Sequence, residues 1–207
     1  MPPRSALSQQ RLGLVLLGLW LCQWAYLAVI GLPSGLWDMS YTRAEKSLAP
    51  HFPYSLESLA AFREAARQAE GLSPEDGRLA RTYHDLGTLL WFMGQNNEAR
   101  LYLTRSMQIF ERVDGPQSTW AGITRGRLGE LQLRAGQLTE ALRNLQRADA
   151  ILVRTVGRLD PMALRIGSLL AMGAHDRDKA KAVLESYQLA GIPPDPVVRM
   201  QLEQILR

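Results

Sequence analysis

The 207-residue sequence predicts an all-α protein: one apolar N-terminal helix, then a solenoid of stacked helix pairs closed by a capping helix. Three observations predict it. Residues 12–32 run LGLVLLGLWLCQWAYLAVIGL without a charge. Downstream, a set of residues returns at one fixed offset of 42 positions. Helix-start and helix-stop residues bound each segment of that repeat, and no strand-like alternation occurs.

The chain opens with a short basic tail, 1–11, carrying Arg4 and Arg11. The apolar run 12–32 follows, and at 1.5 Å per residue it reaches roughly 30 Å, the thickness of a hydrocarbon core. A cleaved signal peptide would have a shorter apolar region of about 7–15 residues and a small-x-small site. An uncleaved transmembrane anchor fits the length better. Trp37 and Tyr41 lie just beyond it, where aromatic rings favour the membrane interface. The short basic tail places the N-terminus in the cytoplasm and the rest of the chain on the periplasmic or lumenal side. Residues 33–54 read as a juxtamembrane linker with a short helix over 38–49.

From residue 55 onward the chain reads as helical repeats. Ser55 to Glu70 is a helix ending at Gly71. Ser73-Pro74-Glu75-Asp76, Gly115-Pro116, Asp160-Pro161 and Asp195-Pro196 read as cap-then-proline helix starts. Gly94, Gly136 and Gly173 read as stops, because glycine enters the left-handed conformation of a helix C-terminus readily. The spacing predicts pairs over 74–113, 116–156 and 161–190, with an amphipathic cap over 196–206 presenting Val198, Leu202 and Ile205.

The repeat itself is dense. Leu86-Gly87 returns as Leu128-Gly129, Gly94-Gln95 as Gly136-Gln137, and Glu98-Ala99 as Glu140-Ala141. Leu103, Arg105, Ile109 and Arg112 return as Leu145, Arg147, Ile151 and Arg154. With Tyr83, Leu90 and Ser106 in the first pair and Ala148 in the second, this pattern resembles the tetratricopeptide repeat (TPR) family. The period exceeds the family's usual 34 and resembles the longer repeats of the kinesin light chain type; a HEAT-like repeat is the structural alternative. The resemblance implies a right-handed solenoid in which Gly87 and Gly129 let paired helices approach. Arg125 and Gln132 depart from the pattern and predict looser packing in the second pair. The third pair reads as degenerate, as terminal repeats often are.

A TPR solenoid is expected to hold a peptide on its concave face. The family's groove positions map here onto Arg81, His84, Asp85, Thr88, Trp91 and Phe92, and onto Ile123, Arg127, Glu130, Leu133 and Arg134. Arg81, Arg127 and Arg134 offer forked donors to a carboxylate, Trp91 and Phe92 an apolar contact, and His84 reads as a surface residue. These imply a protein partner, with an acidic or C-terminal peptide segment, and a scaffold or assembly factor at the membrane. The alternative is an accessory subunit of a larger membrane complex.

Other chemistries lack support. The net charge of +4 is spread along the chain and forms no concentrated basic face for nucleic acid. The single cysteine, Cys22, excludes an internal disulfide framework and lies in the apolar run. His51, His84 and His175 have no companion at metal-ligand spacing, so no metal is expected. No phosphate-binding loop, dinucleotide fingerprint or nucleophile elbow occurs, so neither a cofactor nor catalysis is expected.

Overall fold

The computed structural model describes residues 32–48 and 55–207, and all regular structure among them is helical. In order the helices are α1 (Leu32–Ser47), α2 (Leu56–Glu70), α3 (Gly77–Phe92), α4 (Asn96–Val113) and α5 (Thr119–Arg134). They continue with α6 (Leu138–Thr155), α7 (Pro161–Ala174), α8 (Arg177–Ala190) and α9 (Pro196–Leu206). Helices pack as antiparallel pairs, α1 with α2, α3 with α4, α5 with α6 and α7 with α8. Each pair stacks on the next, and α9 closes the end against α8 and α7.

Capping explains where most helices begin. Ser55, Asp76, Ser118, Asp160, Asp176 and Asp195 each accept a hydrogen bond from a backbone N–H of the first turn. Pro161 and Pro196 sit in the first turn as expected, but Pro74 and Pro116 lie in the preceding turns. The side chain that reaches a first-turn N–H sets the start, Asp76 for α3 and Ser118 for α5, so these helices begin at 77 and 119 instead of 74 and 116. Inside the two central pairs the chain reverses at Gly94 (φ +78°) and Gly136 (φ +74°), an angle that a side chain would strain. Gly173 does not stop its helix. It lies within α7, and His175 takes the left-handed conformation (φ 51°).

Within a pair, glycine sets the approach. A Cβ on Gly87 would lie 2.8 Å from Leu103 Cγ and 3.2 Å from the Ala99 carbonyl oxygen; on Gly129 it would lie 2.8 Å from Leu145 Cγ and 3.2 Å from the Ala141 carbonyl oxygen. The third pair repeats this contact with Gly167 against Val183, again sixteen positions apart. Its register is kept while its period shortens. Around these contacts Ala99, Leu103, Ala141 and Leu145 are fully buried, and the Ser106 hydroxyl donates to the Ala80 carbonyl at 2.7 Å.

The second pair is tied by polar contacts where looser packing was expected. Arg125 is buried, donates to Glu111 and to Asn144 Oδ1 (3.3 Å), and Asn144 donates to Gln132 Oε1 (2.8 Å). Between pairs, the contacts differ from one interface to the next. His84 Nδ1 lies 3.0 Å from Thr124 Oγ1 across α3 and α5. The repeat equivalent of His84 is Gly126, where a Cβ would come within 2.5 Å of Ile166 Cδ1 from α7.

The segment read as a linker, 33–54, is helical from Leu32 to Ser47 and belongs to the solenoid. Trp37 and Tyr41 are buried in the core, not placed at a membrane interface. Trp37 Nε1 donates to Thr82 Oγ1 at 2.8 Å, and the two rings stack at 4.9 Å with Phe62 edge-on to Tyr41. The indole N–H and the phenol O–H each find a partner inside the protein. At the other end Leu202 is fully buried, with Val198 and Ile205 packed beside it as the amphipathic pattern predicts. The proposed anchor, 12–32, lies outside the described residues except for Leu32. Among the described residues no helix is long and apolar enough to cross a membrane.

Candidate functional site

The first helices of successive pairs, α1, α3, α5 and α7, are linked directly by side chains, on the face that the repeat family is expected to make concave. Two clefts open on it. Every groove residue expected from sequence except Ile123 lies at or between them.

The centre is a cluster around Trp91. Its ring is 5% exposed and is covered by two guanidinium groups, with Arg127 Cζ at 5.1 Å and Arg134 Cζ at 4.6 Å from the centroid. Phe92 packs against it at 4.5 Å and remains 40% exposed. Both guanidiniums also face Glu130, which is buried. Arg127 Nη1 donates to Glu130 Oε2 at 2.9 Å, Arg165 Nη2 donates to both oxygens at 2.8 Å, and Arg134 Nη2 stands 3.8 Å away. The expectation that Arg127 awaits a partner's carboxylate is corrected here, because the chain's own Glu130 takes that place. Three cations surround one anion, and the side chains of Arg134 (68% exposed) and Arg165 (43%) still reach solvent.

Beside this cluster lies the larger cleft, about 1070 Å³, between α5, α7, α8 and α9. Leu133, Leu169 and Met172 give it an apolar floor, Val197 and Val198 of α9 a far wall, and Arg134 and Arg165 a cationic edge.

The smaller cleft, about 290 Å³, lies between α1, α2 and α3. Tyr41, Phe62, Leu89 and Phe92 line it with Arg81, Asp85 and Thr88. The Tyr41 hydroxyl donates to Asp85, and Arg81 Nε donates to the Tyr41 oxygen at 2.9 Å. Burial pushes the Asp85 carboxyl up to about 6, against the lowering pull of Tyr41 and Arg81. The Thr88 hydroxyl oxygen is buried without a hydrogen-bond partner among the described residues.

His84 lies between the two clefts and is buried, contrary to its expected place on the surface. Trp120 meets its ring edge at 5.7 Å and stacks on Phe110. Burial, with Arg127 and Arg81 nearby, pulls its pKa down to about 3. The imidazole is therefore a neutral strut between pairs. Ile123 is half-buried and packs toward the core of the next pair, away from the groove clusters.

Sequence reasoning missed Arg165, Tyr41 and Trp120. Arg165 belongs to the third pair, whose shorter period hid it, and Tyr41 lay in the segment read as a linker. Among the described residues no group of three or more His, Cys, Asp or Glu is placed to hold a metal ion.

The sequence matches the tetratricopeptide repeat family over residues 56–112 and 80–152. No curated protein matches it. Among solved structures, BtubC (BKLC) from P. vanneervenii is similar with a TM-score of 0.58 at 16% identity, covering 84% of this chain and 81% of that one. A putative kinesin light chain from Podosopora anserina with nearly identical TPR-like repeats gives a TM-score of 0.57 at 16% identity, over 84% and 82%. At that identity the likeness speaks for the fold. Residues 56–152 match the tetratricopeptide repeat family, and the helix pairs stack in the fold of those two solved structures.

Proposed function

We propose that this chain is a membrane-anchored interaction module whose concave face holds a segment of a partner protein near the bilayer, as a scaffold or assembly factor. TPR domains generally bind proteins. The observation that carries the choice of face is the excess of cation at its centre. Arg134 and Arg165 expose charge beside Phe92 and an apolar cleft, while Glu130 neutralises only one of the three guanidiniums. An acidic side chain or terminal carboxylate next to an apolar anchor suits that arrangement. The run 12–32 would concentrate the module at the membrane.

Photo-crosslinking in native membranes tests this reading. Crosslinkers at Phe92 and Arg134 should capture the same partner, and one at exposed Arg105 on α4 should not. Capture from Arg105 alone would move the binding face to the convex side. The accessory-subunit alternative rests on the small residues and Gln23 in the apolar run, which suit packing against neighbouring helices. Stable co-migration with a large complex on native sizing in mild detergent would favour it.

A further inference from the structure

The described part of the first helix starts at Leu32, the last residue of the uncharged run 12–32, so the two adjoin in sequence. The inference drawn from this rests on the reading of 12–32 as an anchor.

Helix α1 has two unlike faces. One carries Trp37, Tyr41 and Ala44, all buried against α2 and α3. The other carries Leu36, Met39, Arg43 and Lys46, whose spacing of three and four residues places them on a single stripe. Leu36 is 50% exposed and Met39 68%. Arg43 and Lys46 are exposed as well. The acids of α1 point elsewhere: Glu45 pairs with Arg81 across the concave face at 3.6 Å, and Asp38 acts on Arg78 of α3. Arg43 lies within electrostatic reach of Glu64 on α2.

We infer that this stripe rests on the lipid surface, with Leu36 and Met39 in the interface and Arg43 and Lys46 on anionic headgroups. A helix rises 1.5 Å per residue, so Met39 stands no more than about 10 Å from Leu32 whatever the tilt. The polar layer of one leaflet is itself roughly 5–8 Å deep. Two large exposed apolar side chains are therefore held at the bilayer by the chain's own geometry. The order along the stripe, apolar first and cationic after, is the order in which a helix leaving the hydrocarbon meets its surroundings. Because the opposite face of α1 is locked into the core, the lipid contact fixes the whole solenoid against the membrane.

The test uses the full chain in vesicles of phosphatidylcholine and phosphatidylglycerol, with an environment-sensitive fluorophore at one cysteine per sample. Native Cys22 reports on the anchor; Met39→Cys and Met200→Cys, each with Cys22→Ser, report on α1 and on the far end of the solenoid. The expected result is loss of Cys22 emission to deep nitroxide lipids and loss of Met39-label emission to headgroup-proximal ones. The Met200 label should keep its emission. Replacing Arg43 and Lys46 by Glu should restore emission at position 39. A quenched Cys22 with an unquenched position 39 overturns the lipid contact and leaves the anchor standing, whether a second copy or another protein then covers the stripe. An unquenched Cys22 overturns the anchor, and this inference with it.

Discussion

Asp85→Asn should convert an acid-tolerant solenoid into an acid-sensitive one. His84, buried, and Asp85, half-buried, are neighbours in sequence, and loss of hydration shifts their pKa values in opposite directions. Unfolded, His84 takes up a proton near pH 6.5, but folded it waits until about 3. Between those values the unfolded chain binds more protons, so stability is lost as pH falls. Asp85 does the reverse. Folded, it takes up its proton near pH 6; unfolded, only near 3.8. In that window the folded chain binds more protons, and stability rises as pH falls. The two slopes, each about 1.4 kcal/mol per pH unit, oppose one another between pH 6 and 4.

Asparagine preserves the acceptor for Tyr41 and removes the titration. The imidazole's slope then stands alone, and from pH 6 to pH 4 the variant should lose about 3 kcal/mol relative to the parent. Urea unfolding of both proteins, followed by far-ultraviolet circular dichroism across that range, reads the difference directly. Other carboxylates titrate alike in both and cancel. Parallel stability profiles for parent and variant would refute the opposition of these two groups.

Gly87→Ala and Gly129→Ala should each destabilise by similar amounts, because each new methyl meets a leucine and a carbonyl at the same distances. Overpacking of about 1–3 kcal/mol exceeds the helix-propensity gain of about 1 kcal/mol. Gly35→Ala, with nothing within 4 Å in α1, should keep that gain and raise the thermal midpoint; a matching rise at Gly87 would refute the close approach. Glu130→Ala leaves Arg127, whose side chain is only 12% exposed, without its counter-ion. A loss of about 3 kcal/mol in denaturant unfolding is expected, and an unchanged midpoint would show that the cluster is not held by this ion pair.

Much of the fold was legible because its determinants are local. Gly87, Ala99 and Leu103 recur as Gly129, Ala141 and Leu145, and such intrapair contacts show as a period in one dimension. The third pair was legible from its caps and not from the repeat, because Gly167 and Val183 keep their mutual spacing but not the 42-residue offset. Trp37 and Tyr41 misled for a chemical reason, since an amphipathic ring beside an apolar run suits a membrane interface and a protein core equally well. At the site, the family's groove positions mapped onto Arg81, Asp85, Thr88, Trp91, Phe92, Arg127, Glu130 and Arg134, which α3 and α5 carry. That mapping overlooked the i,i+3 pairing of Arg127 with Glu130 on one helix, and it gave no sign that His84 is buried, because that depends on the neighbouring pair. For the same reason Trp91→Ala and Arg127→Glu disturb the fold as well as the groove, and exposed Phe92 and Arg134 are the better reporters of binding.

The unlike contacts at His84 and Gly126 bear on how such an array can change. The seams inside the pairs are alike, but those between pairs are not interchangeable. A histidine at the position of Gly126 would collide with Ile166, and a glycine at the position of His84 would leave the Thr124 hydroxyl facing a void. Exchanging, duplicating or permuting whole pairs therefore mismatches at least one seam. The order of the units is written into their junctions, and the composite concave face that spans those junctions persists only in that order.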